Sequence, residues 1–378
     1  MMYLNNAGAG IPSDATFEVV IRHLELEREI GAYDAAKTAR PEYDAFYDRA
    51  ARLVGAKASE IAFVDSASRA WNVAIAAVGI SSGGRIVTLA SEFGTNLVSL
   101  FRLAERQSAE VTVVDCAQDG SFDMSEFERA CDGASLVALS HSVAHGSIVN
   151  PVVEVGAVAK RAGALYLVDG CQAAGQLEVD VEAIGCDAYT VTGRKWLRGP
   201  RGTGFLYVRE GSGLVTADVD LSSADLAFMP GTRKVVGVTT RSDARQFELW
   251  ERNVAGMLGL SHAIQESFGP TVVGTRPMIG ELGDKVREAV VRNPLLSLFG
   301  EARSPVGNVG FYCLDPAHED RVEGSLREAG IVFSTMSDWD FPLQFPTNGA
   351  TKLFRLSPHY YTPVDTVSVA CEALDRVQ

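Results

Sequence analysis

The stretch ALYLVDGCQAAGQLEVDVEAIGCDAYTVTGRKWLRGPRGTGFLYV, residues 164–208, decides the fold class. It holds three short apolar runs, ALYLVD (164–169), DAYTVT (187–192) and GTGFLYV (202–208). Each is too short for a helix and rich in Leu, Val, Tyr and Phe, the pattern of strands buried on both faces. Working outward, the same kind of run recurs at IAFVD (61–65), RIVTLA (85–90), EVTVVD (110–115) and SLVALS (135–140). Between most of them lie segments of helical periodicity, such as NLVSLFRLAERQ and VVEVGAVAKRAG. Seven strands joined by crossover helices predict an α/β domain built on a mostly parallel sheet with both faces covered. Past residue 240 the pattern changes to a long helix candidate, DARQFELWERNVAGMLGLSHAIQESF, and then to a mixed remainder. The division expected is an N-terminal segment at 1–15, a large domain at 16–250 and a smaller α+β domain at 251–378.

Composition narrows the function classes. With 34 basic and 48 acidic residues the chain carries a net charge of −14, which argues against nucleic acid as a partner, so any anion site is local. No run of about 18 apolar residues offers a membrane span. The start, MMYLNNAGAG, lacks the basic flank and apolar core of a signal peptide, and a cytoplasmic location is expected. The six cysteines show no C-x-x-C pair and no metal-finger spacing, so they read as reduced thiols and no metal site is expected.

In an open α/β sheet, ligands bind at the carboxyl ends of the strands. The residues that follow these strands are DSASRAWN, SEFGTN, HSVAHGS, DGCQ and TGRKW. Together they offer a carboxylate, an amide, hydroxyls, an aromatic ring, a histidine, an arginine and a lysine. Taken alone, Lys195 would be a solvated lysine in a basic turn, Asp169 a helix cap, and DSAS an ordinary N-cap.

The combination resembles the class V aminotransferase family of pyridoxal phosphate (PLP) enzymes, which includes cysteine desulfurases, kynureninase and isopenicillin N epimerase. The resemblance runs from YLNNAGAG to FRLSPHYY and rests on Asp-x-x-Gln at Asp169 and Gln172, then Lys195 followed by Gly-Pro-x-Gly-x-Gly. It implies a fold-type I transferase. The stretches SEFGTNL, GAYDAAK and GRKWLRGPRG are similar to a subgroup containing the ergothioneine-pathway carbon–sulfur lyase and lincosamide-pathway enzymes that process S-glycosylated cysteine.

The resemblance assigns roles to individual residues. Lys195 binds the cofactor aldehyde and takes the substrate α-proton. Asp169 pairs with the pyridine nitrogen, Gln172 donates to the phenolate oxygen, and Phe93 stands on the ring face where many relatives carry histidine. The phosphate falls to the backbone of Ala67 and Ser68 at a helix N-terminus, with Thr192 and Arg194. Arg355 matches the arginine that holds a substrate carboxylate, against a surface ion pair as the alternative. Asn6, Ala7 and Gly8 bring backbone close to the substrate; Tyr33, His145 and Trp250 are pocket candidates, His145 as a proton shuttle. The family's sites lie at a dimer interface, with RQFELWERN the expected donor segment.

A desulfurase of this family also needs a mobile cysteine ahead of the carboxylate-binding arginine. The corresponding loop, STMSDWDFPLQFPTNGAT, has none between Cys313 and Arg355. The expected reaction is therefore carbon–sulfur β-elimination on an S-substituted cysteine, with Trp339, Phe341 and Phe345 as a wall for a bulky substituent. Decarboxylating oxidative deamination and epimerisation share the same first carbanion-type intermediate and stay open. A non-catalytic binding protein on the same fold is the alternative of another class.

Overall fold

In a computed structural model, residues 1–377 are described. The seven expected strands form one sheet, in the spatial order Ile61–Val64, Gly204–Val208, Ala188–Thr192, Leu165–Asp169, Ala134–Ser140, Arg85–Leu89, Glu110–Val114. Gly204–Val208 runs antiparallel to both neighbours and every other pair is parallel. Six carboxyl ends therefore lie along a single edge.

Strand periodicity sends alternate residues to two cores. Tyr166, Val168, Tyr189, Val191 and Phe205 pack with Phe46, Val155 and Leu260 on one face. Leu167, Ala188 and Leu206 pack with Trp71, Leu100 and Leu103 on the other. The helix Gly94–Gln107 buries Leu97, Leu100, Leu103 and Ala104, one stripe at helical spacing.

The long helix expected from residue 243 onward is interrupted. A short 3-10 turn spans Ala244–Phe247, and the helix proper is Val254–Ser267, capped by the Asn253 side chain, which accepts from Gly256 N. The cause is Glu248. Its buried carboxylate accepts from the Tyr47 hydroxyl at 2.9 Å, from Phe63 N at 2.8 Å and from Arg252 at 2.5 Å, which holds the chain extended against the sheet's edge strand. Met257, Leu260 and Ile264 then enter the core of the large sheet, so this helix packs there and not with the domain expected to begin at 251.

A second, four-stranded antiparallel sheet follows, ordered Leu296–Phe299, Val309–Cys313, Leu353–Leu356, Ser334–Met336. The helices Met278–Arg292, Glu319–Glu328 and Val364–Asp375 cover it through Val286, Val290, Leu326 and Leu374. Leu4 joins this core, and Met2–Tyr3 pairs in parallel with Ile331–Val332, so the first residues of the chain clasp its C-terminal part. A hairpin not anticipated from the sequence, Ala224–Phe228 with Val235–Thr240, projects Leu226, Phe228, Val235, Val236 and Val238 into solvent.

Candidate functional site

The carboxyl edge of the large sheet opens into a cavity of about 130 Å³. Its lining contains Ala67, Ser68, Phe93, Asp169, Gln172, Thr192, Arg194 and Lys195, eight residues drawn from four separate strand ends. Ser66, Asn96, Ser140, Ser142, Ala144 and Cys171, not singled out in the sequence, complete it.

Asp169 ends its strand and is 8% exposed. Oδ1 accepts from Cys171 N at 2.9 Å and from the Thr190 hydroxyl at 3.1 Å. Oδ2 accepts from the Asn96 amide at 2.8 Å, which leaves it further acceptor capacity toward the cavity. Gln172 is held from two sides: it donates to Ala7 O at 3.1 Å and accepts from Trp196 Nε1 at 2.8 Å. One of its amide hydrogens remains for a ligand.

Lys195 is half-buried on the loop after Ala188–Thr192, and among the described residues its amine has no hydrogen-bond or ion-pair partner. Burial, aided by the Arg194 and Arg355 cations, pushes the amine below the ordinary lysine range and so favours the neutral form that attacks a carbonyl. The loop is braced from the N-terminus. Gly10 N donates to Arg194 O at 2.7 Å, and a Cβ on Gly10 would lie 2.4 Å from Lys195 O, so only glycine permits this approach.

Opposite the lysine loop, Ser66 caps the helix Ala67–Ala76 by accepting from Arg69 N at 3.1 Å. The first-turn N–H groups of Ala67 and Ser68 have no carbonyl within the helix to bond and line the cavity. The Arg194 guanidinium, lowered in pKa chiefly by burial, adds positive charge beside Thr192. A chain of net charge −14 thus presents a cationic pocket. Free helix amides with a guanidinium for a phosphate, the half-buried Phe93 ring for an aromatic face, an incompletely occupied carboxylate and an unpaired amine together fit PLP.

Arg355 lies on the small sheet, 6% exposed, and no carboxylate pairs with it among the described residues, which removes the surface-ion-pair reading. It donates to Ala144 O at 2.9 Å, while its Nε is buried without a partner. Burial and then the Arg194 charge push it down to about 10. A buried guanidinium with an idle donor beside a cavity-lining residue is built to receive an anion. Asn6 and Ala7 are fully buried and tie the domains together: Asn6 donates to Ser357 O at 2.7 Å, and Ala7 N to Ser357 Oγ at 3.0 Å. Gly8 makes room for the chain's own Asn5 amide, which a Cβ would meet at 2.6 Å.

Three candidates lie away from the cavity. Tyr33 and Trp250 are 74% and 62% exposed. His145 is buried between Phe341 and Phe299, with ring centroids at 3.7 and 4.7 Å, and bonds Gln344 at 3.2 Å. Burial drives it down to about 3, so it is a neutral packing residue and not a proton shuttle at neutral pH. The expected aromatic wall is also absent. Trp339 points to solvent, Phe341 packs against Phe93 and His145, and Phe345 joins the cluster around Phe299 and Tyr312. Cys171, missed as a site residue, is the cysteine in the cavity lining; burial and then Asp169 raise its thiol well above the usual range, so it is not a thiolate nucleophile.

Comparison with known proteins agrees with this geometry. The family model for aminotransferase class V matches residues 3–335. A probable cysteine desulfurase of Methanothermobacter thermautotrophicus is 28% identical over 357 residues, covering 92% of this chain and 86% of its own. A probable hercynylcysteine sulfoxide lyase of Mycobacterium tuberculosis is 25% identical over 376 residues, covering 99% and 89%. Among solved structures, the apo cysteine desulfurase of Thermococcus onnurineus superposes with a TM-score of 0.87 at 23% identity, over 99% of this chain and 93% of that one. The fold, the reach of the family match and the donor set of the cavity together make the chain a member of the class V aminotransferase family, the PLP-dependent enzymes that include the cysteine desulfurases.

Proposed function

We propose that this enzyme is a carbon–sulfur β-lyase that cleaves an S-substituted cysteine to a thiol, pyruvate and ammonia. The observation that carries the reading is the thiol inventory around the site. The loop between Cys313 and Arg355 has no cysteine, and Cys171 in the cavity is held protonated, so nothing is poised to take sulfur from the substrate. The similarity to a hercynylcysteine sulfoxide lyase supports the same reaction class, as does the subgroup resemblance.

Bound PLP supplies an electron sink for the pair released when the substrate Cα–H bond breaks. The chain's residues do the rest. Arg355 holds the substrate carboxylate, Lys195 removes the α-proton, and Asp169 keeps a proton on the ring nitrogen. Phe93, lacking any acid or base group, serves only as a platform. The Cβ–S bond then breaks with its electrons on sulfur, which leaves with its substituent as a thiol once protonated. The remaining three-carbon fragment takes up water and departs as pyruvate and ammonia. We further propose a homodimer, the exposed apolar hairpin and Trp250 supplying the contact surface.

The test is product balance on a panel of S-conjugated cysteines. Thiol and pyruvate in equal amounts support the lyase. Release of carbon dioxide with a thioether aldehyde moves the assignment to oxidative deamination, recovery of inverted substrate moves it to epimerisation, and alanine with a protein persulfide overturns the reading of the thiols.

A further inference from the structure

Behind the cavity lies a second carboxyl group that the mechanism above does not use. Glu92 precedes the helix Gly94–Gln107 and is 1% exposed. Its Oε1 accepts three hydrogen bonds, from Phe93 N at 2.8 Å, the Asn96 amide at 2.9 Å and the Ser140 hydroxyl at 2.6 Å. Its Oε2 is buried with no partner. The same Asn96 nitrogen donates to Asp169 Oδ2 at 2.8 Å, so one NH2 group gives a hydrogen to each of two carboxyl groups. Those two acceptors settle which way the amide points, because its oxygen facing them would repel both.

Glu92 therefore touches both walls of the cofactor pocket, through the Phe93 backbone beside the stacking ring and through Asn96 to the partner of the ring nitrogen. We propose that Glu92 is a positioning residue for Asp169 and Phe93, and that it acts as an uncharged acid, with its proton on Oε2.

The geometry supplies the reason for the proton. Asp169 is the charged group facing Glu92; its other close neighbours are the Ser140 hydroxyl, the Asn96 amide and the Phe93 N–H. Two negative charges sharing one neutral amide in a buried site repel each other, and a charged Oε2 without a donor would carry an uncompensated desolvation cost. Protonation on Oε2 removes the repulsion, replaces the cost of a buried charge with the smaller one of a neutral hydroxyl, and keeps all three bonds to Oε1. Burial and then Asp169 raise the group accordingly, to about 7. The pocket is left with a single negative charge, on Asp169, for the ring nitrogen to face.

The inference rests on PLP binding in this pocket and not on which bond is cleaved, so absence of lyase products leaves it standing. The experiment titrates cofactor-free protein with PLP and follows the visible band of the lysine-bound cofactor, with thermal melting as the control for folding. Glu92→Gln, uncharged and of the same shape, is expected to hold the PLP Kd within about threefold and to leave the pH at which the band titrates unmoved. Asn96→Ala and Glu92→Leu are expected to weaken PLP about tenfold or more and to move that pH, because Asp169 loses its clamp. Equal damage from Gln and Leu would overturn the uncharged acid. Parental affinity and titration in Asn96→Ala would overturn the positioning role, and that variant decides the matter should Glu92→Leu not fold.

Discussion

At the scale of single residues, the site separates groups by what surrounds them. Lys195 is the cavity amine without a partner, and Asp169 is held by three donors that fix its plane. Lys195→Ala is expected to abolish both turnover and the visible band of the lysine-bound cofactor, since no other amine lines the cavity. Full activity in that variant would place the chemistry elsewhere. Asp169→Asn keeps the shape but loses the charge proposed above to retain a proton on the ring nitrogen. A charge-assisted hydrogen bond of about 1.5–3 kcal/mol is lost, so turnover should fall at least about tenfold while cofactor stays bound. Steady-state kinetics beside an absorption spectrum separates those two effects.

At the scale of elements, the strands were legible from sequence and much of what lies between them was not. Buried parallel strands are unbroken apolar runs, so the polar residue that ends each run is visible, and Asp169, Thr192 and Lys195 are found by that signal. Asn96 and Glu92 lie within SEFGTN without a local mark of function, because their importance comes from a contact across the sheet with Asp169 that no local spacing encodes. His145 shows the converse: histidine after a strand looks functional in sequence, but Phe341, on a loop nearly two hundred positions later, packs against its ring. Periodicity also joined Ala244–Phe247 to Val254–Ser267, since nothing local reveals that the Glu248 carboxylate is drawn to Phe63 N. The loop carrying Phe341 docks on the large domain through that ring, the Gln344 bond to Ala117 O at 2.7 Å and the Gly94 N bond to Asp340 O at 2.8 Å. Phe341→Ala should loosen it. Hydrogen exchange over 337–345 is expected to quicken with a lower melting midpoint; unchanged exchange would assign the docking to the hydrogen bonds alone.

At the scale of the whole molecule, buried titratable groups set the response to acid. His141, His145 and His359 are driven by burial to about 4, 3 and 3, so near pH 5, well below their ordinary value of 6.5, the unfolded chain binds close to three protons that the native chain does not. Glu92, raised to about 7 from 4.5, opposes them with one proton held only in the native state. The net excess of close to two protons in the unfolded chain means that stability falls as the pH drops through this region, by on the order of 3 kcal/mol per pH unit near pH 5 from these four groups. Denaturant unfolding at a series of pH values checks both sign and slope, and flat stability there would mean that the histidines charge without unfolding.

The same scale decides whether one chain is enough. The hairpin Ala224–Phe228 with Val235–Thr240 stands clear of both cores, and Phe228, Val236 and Val238 are 50%, 58% and 57% exposed. An isolated two-stranded hairpin is marginal in water, and clustered apolar residues on it call for a covering surface. The nearby segment from Arg245 to Asn253 is tied down by Glu248 and by Trp250 N, which donates to Asp220 Oδ2 at 2.6 Å, yet the Trp250 side chain faces solvent. Light scattering is expected to give the mass of a dimer. Val236→Lys combined with Val238→Glu should shift the enzyme to monomer without changing the folds of the two sheets, because neither residue touches a core. If turnover falls with dissociation and returns at protein concentrations that restore the dimer, the second copy completes the site; a fully active monomer would show that the cavity of one chain suffices.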